Sequence, residues 1–269
     1  MEKFHTSQHT EIPVTSRELG PLRLRYAYAR SRETQLDGEA GQDYLSYLFK
    51  DGQLSFSICD GVSMSFCGQL ASKYLGEELV SFMEKADCSG TEGAGMQREL
   101  QQVMKEITAP ATEMINRYEL PASIGGLFRE VLEEKRRIGS ETTFVCGRVR
   151  TASNQEDGGL ELVLAWMGDT KIRLWQDAVE RSDRLSGDFS KWNRWSTLKG
   201  SMGEGPFVYK TTLRPRGAAS INRIQIYTDG LHAYDEWTRP PGDEELMQLV
   251  REAYASPDSD DLTFLELSW

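Results

Sequence analysis

Leu22, Leu24, Tyr26 and Tyr28 alternate with Arg23, Arg25 and Ala27. A period of two predicts a strand with one buried face. The same alternation returns in Leu54, Phe56 and Ile58, and Asp51-Gly52 between the segments 43–50 and 53–59 is a two-residue hairpin signal. The period then lengthens. Phe66, Leu70, Leu75, Leu79 and Phe82 recur every three to five residues, which predicts an amphipathic helix over 66–85. A loop over 87–95 leads to two more helical segments, 96–118 and 123–138, with Pro110 expected to kink or split the first. Strands follow over 142–150, 160–168 and 171–176, the first two joined by a polar loop. Residues 177–220 mix Gly, Ser, Trp and Lys without a period and are expected to be irregular. The chain closes with a strand over 221–227, a short helix over 231–237, a helix over 243–254 and a strand over 262–268. Residues 1–20 are polar and aperiodic, expected as a flexible lead-in, and 31–41 form a polar loop. Strands before and after a block of helices, with no internal repeat and no long linker, predict one α+β layered domain over 21–269.

Composition narrows the function. The 269 residues are 39% apolar and 27% charged, an ordinary globular balance. Against 31 basic side chains stand 42 acidic ones, a net charge of −11. That surplus disfavours binding to nucleic acid or to anionic lipid, both of which call for basic patches. No apolar run approaches the roughly 18 residues of a membrane span. The first residues lack a secretory pattern, so a cytoplasmic protein is expected. Cys59, Cys67, Cys88 and Cys146 show no metal or disulfide spacing, and Cys59 and Cys146 sit in apolar runs that suit a core. With only His5, His9 and His232, a histidine-based zinc site is not expected.

The acidic residues, by contrast, fall at telling places. Asp43 begins a predicted strand, Asp60-Gly61 ends one, and Gly168-Asp169 and Asp229-Gly230 each follow one. Asp260-Asp261 precede the last. A carboxylate at a strand end is held by a rigid frame and can still face a cleft. If these ends converge, the like charges repel and call for cations; oxygen ligands alone select Mg²⁺ or Mn²⁺ over zinc. Asp-Gly is also a common turn pair, and spacing alone leaves turn or cap duty open for each aspartate.

Several segments together resemble the PPM-type, protein phosphatase 2C-like metal-dependent Ser/Thr phosphatases, in a divergent bacterial-type form. Phe56-Ser57-Ile58-Cys59-Asp60-Gly61 followed by Gly68-Gln69-Leu70-Ala71-Ser72 is similar to that family's strand, Asp-Gly and helix motif. Gly139-Ser140-Glu141-Thr142-Thr143 resembles its Gly-x-Gly-Thr-Thr segment. Met167-Gly168-Asp169-Thr170 resembles its Gly-Asp-Ser, Tyr227-Thr228-Asp229-Gly230 its Ser-Asp-Gly, and Asp260-Asp261-Leu262-Thr263 its closing Asp-Asn-[Ile/Leu]-Thr. The resemblance runs from about residue 22 to 269 and implies a four-layer αββα sandwich of two antiparallel sheets with a site at one edge. It further implies two Mn²⁺ or Mg²⁺ ions, with a third in bacterial-type members. Asp60 would bridge two ions, Asp229 and Asp260 would complete one, and Asp43 and the Gly61 carbonyl would help hold the second through waters. Asp169 would serve the third. The implied reaction is hydrolysis of phosphoserine or phosphothreonine by a water activated between the two ions. The implied partners are a phosphorylated protein substrate and a cognate Ser/Thr kinase.

The chain also departs from that pattern. Gln42 stands where the family has an acid, Gly38 where it has a phosphate-binding arginine, and Val62 where some members have a histidine. Arg30 and Arg32 are the nearby candidates to bind substrate phosphate. The stretch 177–220, with Lys191, Trp192, Arg194, Trp195, Lys199 and Lys210, lies where the family carries a variable flap. Two readings stay open: an active phosphatase, or a pseudophosphatase that binds phosphopeptides or regulates a partner.

Overall fold

A computed structural model describes residues 1–86, 93–122, 124–151, 159–213, 220–256 and 258–269. Along the chain run strands β1 (Glu2–His5), β2 (Ile12–Leu19) and β3 (Leu22–Ala29), a short helix α1 (Arg32–Leu36), and the hairpin β4 (Tyr44–Lys50) and β5 (Gln53–Gly61). Helices α2 (Gly68–Lys85), α3 (Gly93–Glu106), α4 (Thr108–Arg117) and α5 (Gly126–Ile138) follow. Then come β6 (Glu141–Thr151), β7 (Leu160–Met167), β8 (Lys171–Gln176), β9 (Val179–Glu180), β10 (Arg194–Ser196), β11 (Gly200–Met202), β12 (Phe207–Leu213) and β13 (Arg223–Tyr227). A 3₁₀ segment over Asp229–Glu236, helix α6 (Asp243–Ala255) and strand β14 (Leu262–Ser268) complete the order.

The strands form two antiparallel sheets. One runs β1-β4-β5-β6-β10-β11, with β7 beside the rest of β6 and β12 beside β7; the other runs β2-β3-β14-β13-β8-β9. Their facing sides share one core: Leu24, Tyr26, Ile226 and Leu265 meet Leu45, Phe56, Val145 and Leu164. On the outer face of the first sheet, Ala71, Leu75, Leu79 and Met83 repeat every four residues down α2 and are buried with Met96, Leu100 and Met104 of α3. On the outer face of the second sheet, Leu246 and Leu249 of α6 pack with Leu231, Tyr234 and Phe264. The layers are therefore helix, sheet, sheet, helix, as the resemblance implies. Each fully buried Leu contributes about 1.5–3 kcal/mol, which is why the four-residue stripe on α2 holds it to the sheet.

Three sequence expectations are corrected. The flexible lead-in is instead β1 and β2: β1 pairs with β4, and Phe4 packs its ring on Tyr26 and Tyr47 at centroid distances of 4.7 and 5.2 Å. Both are edge strands with much of their surface in solvent, so most of their residues are polar. The break in the segment 96–118 falls at Ile107, and Pro110 sits in the first turn of α4, where its missing N–H costs nothing. The stretch 177–220 is not wholly irregular, because β12 extends the first sheet by pairing along β7. Cys59 and Cys146 are buried, as expected; Cys88 and most of the loop between β6 and β7 lie outside the described residues. No helix among the described residues is long and apolar enough to cross a membrane.

Candidate active site

Antiparallel pairing gathers strand ends. In the first sheet the start of β4, the end of β5, the start of β6 and the end of β7 share one end, because Tyr44 faces Cys59, Asp60 faces Thr143 and Phe144 faces Met167. In the second sheet the end of β13, the starts of β14 and β8 and the end of β3 do likewise. The link Gly168-Asp169-Thr170 carries the chain directly from β7 to β8, so the two ends meet at one edge of the sandwich. Asp43, Asp60, Gly61, Asp169, Asp229 and Asp260 all line a single cavity of about 500 Å³ at that edge. Two close backbone approaches set the edge. A Cβ on Gly61 would lie 2.7 Å from the Gly68 carbonyl carbon, and one on Gly230 would lie 2.2 Å from the Asp261 carbonyl oxygen, so only glycine lets α2 and the 3₁₀ segment come this near.

The carboxylates feel one another. Asp43 is 1% exposed and accepts a hydrogen bond from Thr228 Oγ1 at 2.7 Å. Burial, then the charges of Asp60 and Asp261, push its carboxyl well above the usual range. Asp60 is pushed up likewise, by burial and then by Asp229, Asp169, Asp260 and Asp261. Asp229 is pushed up to about 6 by burial, Asp260 and Asp169, against a lowering bond from the Gly230 N–H. None of Asp43, Asp60, Asp169, Asp229 and Asp260 is ion-paired with a Lys, Arg or His among the described residues. Within the same limit, no three His, Cys, Asp or Glu side chains close into a ready-made ligand group. What they share is the cavity and each other's field. A set of oxygen donors with mutually repelled charges and no basic partner fits hard divalent cations.

Arg30 and Arg32 are not brought to this cavity. Arg30 Nε donates to Glu11 at 2.7 Å and Nη1 to the Glu39 carbonyl at 2.9 Å, while Arg32 is exposed, its N–H donating to Ser259 Oγ. Asp261 has a role that its place in the motif does not reveal. Its Oδ1 accepts from the Ser31 N–H at 2.6 Å and its Oδ2 from the Gln42 N–H, so it pins both ends of the 31–42 connection. Gln8 was missed as well: its buried amide donates to the Asp43 carbonyl at 3.2 Å and to Ser72 Oγ at 3.2 Å, tying the first residues to the site.

Part of the wall comes from the flap. Lys191, Trp192, Arg194 and Lys199 line the same cavity as the carboxylates, and Arg194 Nε is paired with buried Glu141 at 2.6 Å. Solved structures share this architecture. A serine/threonine phosphatase of S. agalactiae superposes with a TM-score of 0.52 at 11% identity, over 92% of this chain and 99% of its own. A phosphatase from Toxoplasma gondii gives 0.54 at 9% identity, over 100% and 96%. RsbX in complex with magnesium gives 0.51 at 12% identity, over 95% and 98%. The chain has the PPM-type phosphatase fold. At these identities the likeness is one of fold, and neither protein-family models nor curated protein sequences match the chain.

Proposed function

We propose that this chain is a metal-dependent phosphatase acting on phosphoserine and phosphothreonine in proteins. The supporting observation is the acidic edge: five aspartates from separate strand ends line one cavity, and no basic side chain pairs with them among the described residues. The residues that would hold the ions are Asp60, Asp229 and Asp260 for one, Asp60, Asp43 and the Gly61 carbonyl for the second, and Asp169 for a third. Bound Mn²⁺ or Mg²⁺ supplies positive charge that polarises a phosphoryl oxygen and lowers the pKa of an attacking water.

The remaining chemistry belongs to the chain. Asp43 and Asp60 offer charge at fixed positions on neighbouring strands, and Thr228 orients Asp43 by its hydrogen bond. Asp261 keeps the 31–42 connection from shifting. Val62 offers no proton, so the leaving alkoxide takes its proton from solvent in the cavity. The substrate is a phosphorylated protein, and a kinase that phosphorylates the same protein is its natural counterpart. The magnesium complex of RsbX, a protein of the same fold, supports the choice of ion. The test is Mn²⁺-dependent hydrolysis of an aryl phosphate and of a phosphoserine peptide, lost in Asp60→Asn and in Asp229→Asn. Full activity in both variants would overturn the reading.

A second reading, a pseudophosphatase that binds a phosphopeptide or a regulatory partner, is favoured by one observation. Gly38 replaces the phosphate-binding arginine, and Arg30 is held by Glu11. Metal binding without turnover, together with a stable partner complex, would support it.

A further inference from the structure

The flap wall of the cavity holds three cations, and their situations differ. Arg194 is committed to Glu141. Lys191 and Lys199 are exposed, line the cavity, and have no carboxylate partner among the described residues. Between them stands Trp192, 66% exposed, with the Lys191 ammonium 5.9 Å and the Arg194 guanidinium 5.7 Å from its ring.

This wall is built in register with the carboxylates. Trp195 of β10 pairs with Thr142 of β6, and the next β6 residue, Thr143, pairs with Asp60 of β5. The hairpin of β10 and β11 is fastened below. Trp195 is fully buried and donates to the Met104 carbonyl at 3.2 Å, and Thr197 exchanges bonds with Ser140 at 2.9 and 3.0 Å. Buried Asn193 holds the preceding turn by accepting from the Glu204 N–H at 2.7 Å and donating to Asp188 at 3.1 Å. Two exposed ammonium groups thus sit on a fastened backbone and line the same cavity as the aspartates.

A phosphate monoester carries up to two negative charges, and the aspartates repel it. Ions held there would meet only part of its charge, so further cations from the cavity lining are called for, and neither Arg30 nor Arg32 reaches the cavity. We propose that Lys191 and Lys199 bind the substrate's phosphoryl oxygens in place of an amino-terminal arginine, with Trp192 as the apolar face for the residues flanking the phosphate. This rests on the phosphatase reading. Lysine acts here as a point charge rather than a bidentate fork, which suits a flap that must accept differently angled phosphopeptides.

The test uses the full chain loaded with Mn²⁺. Inorganic phosphate binding is followed by calorimetry, and kcat and KM are measured on a phosphoserine peptide. Lys191→Ala/Lys199→Ala is expected to weaken phosphate binding and raise KM by about tenfold or more, with kcat within about threefold. Lys191→Arg/Lys199→Arg should restore binding, and Lys73→Ala/Lys105→Ala, which removes equal charge elsewhere, should change neither. Phosphate affinity and KM within about twofold of the unmodified chain in the alanine pair, or no phosphate binding to the unmodified chain, would overturn the proposal. Lysine-dependent phosphate binding without hydrolysis would sustain it while removing the phosphatase reading. Hydrolysis with lysine-independent binding would do the reverse.

Discussion

Asp60 is a buried carboxyl with several carboxylates acting on it. Four of them raise its proton affinity, after burial itself. Without cations, keeping it ionised costs stability, so Asp60→Asn should do two opposite things. It should remove Mn²⁺-dependent turnover, and it should raise the melting temperature of the chelator-treated protein by about 2–6 °C, the effect of relieving about 1–2 kcal/mol in a chain of this size. A scan showing the variant less stable than the parent in chelator would count against mutual repulsion. The sign of the pH dependence follows. Asp43, Asp60 and Asp229 have folded values above the unfolded value of about 3.9, and Asp229 reaches about 6. Their contribution to stability is full below the unfolded value and is lost as pH rises through the folded ones. Chelator-treated protein should therefore melt higher at pH 5 than at pH 7.5, and Mn²⁺ should narrow the gap by stabilising the ionised form. Denaturation scans at the two pH values, with and without metal, read this directly.

At the scale of elements, the site depends on how α2 meets β5. Gly68 opens the helix against Gly61 at the strand end, and a Cβ on Gly68 would come within 2.5 Å of Gln42 Oε1 and 2.9 Å of the Gly61 carbonyl carbon. Gly68→Ala should cost about 1–3 kcal/mol in denaturant and displace the Asp60-Gly61 corner, lowering Mn²⁺ affinity as well. Leu75→Ala, at the centre of the buried α2 stripe, should cost about 2–5 kcal/mol. Being remote from the cavity lining, it should leave Mn²⁺ affinity of the folded fraction unchanged. Periodicity made α2 legible because its four-residue stripe faces one sheet. It did not reveal β1 or β2, whose outer faces are polar, nor β12, which sits amid glycine-rich irregular chain. The local pattern predicts a short helix over 231–237 where the structure has a 3₁₀ segment starting at Asp229, since periodicity does not distinguish the two.

Over the whole molecule, the order of strands and helices and the acidic strand ends were readable in the sequence, and the convergence was not. Asp43 and Thr228 are 185 residues apart and hydrogen-bonded, a contact that antiparallel pairing and the β7–β8 crossover create but no local spacing encodes. The same holds for Arg30. Its closeness in sequence to the missing arginine makes it a candidate, yet Glu11, just before β2, takes its guanidinium. The flap cations are visible as composition; the fold brings Lys191, Arg194 and Lys199 but not Lys210 to the cavity, and pairing with Glu141 sets Arg194 apart from the two lysines. All of this depends on the acidic edge being a cation site. Calorimetric titration of the chelator-treated full chain with Mn²⁺ tests that most directly. At least two ions should bind the unmodified chain, with the tighter binding abolished in Asp60→Asn; an unmodified chain that takes up no Mn²⁺, or an Asp60→Asn variant that binds it equally well, would contradict the account.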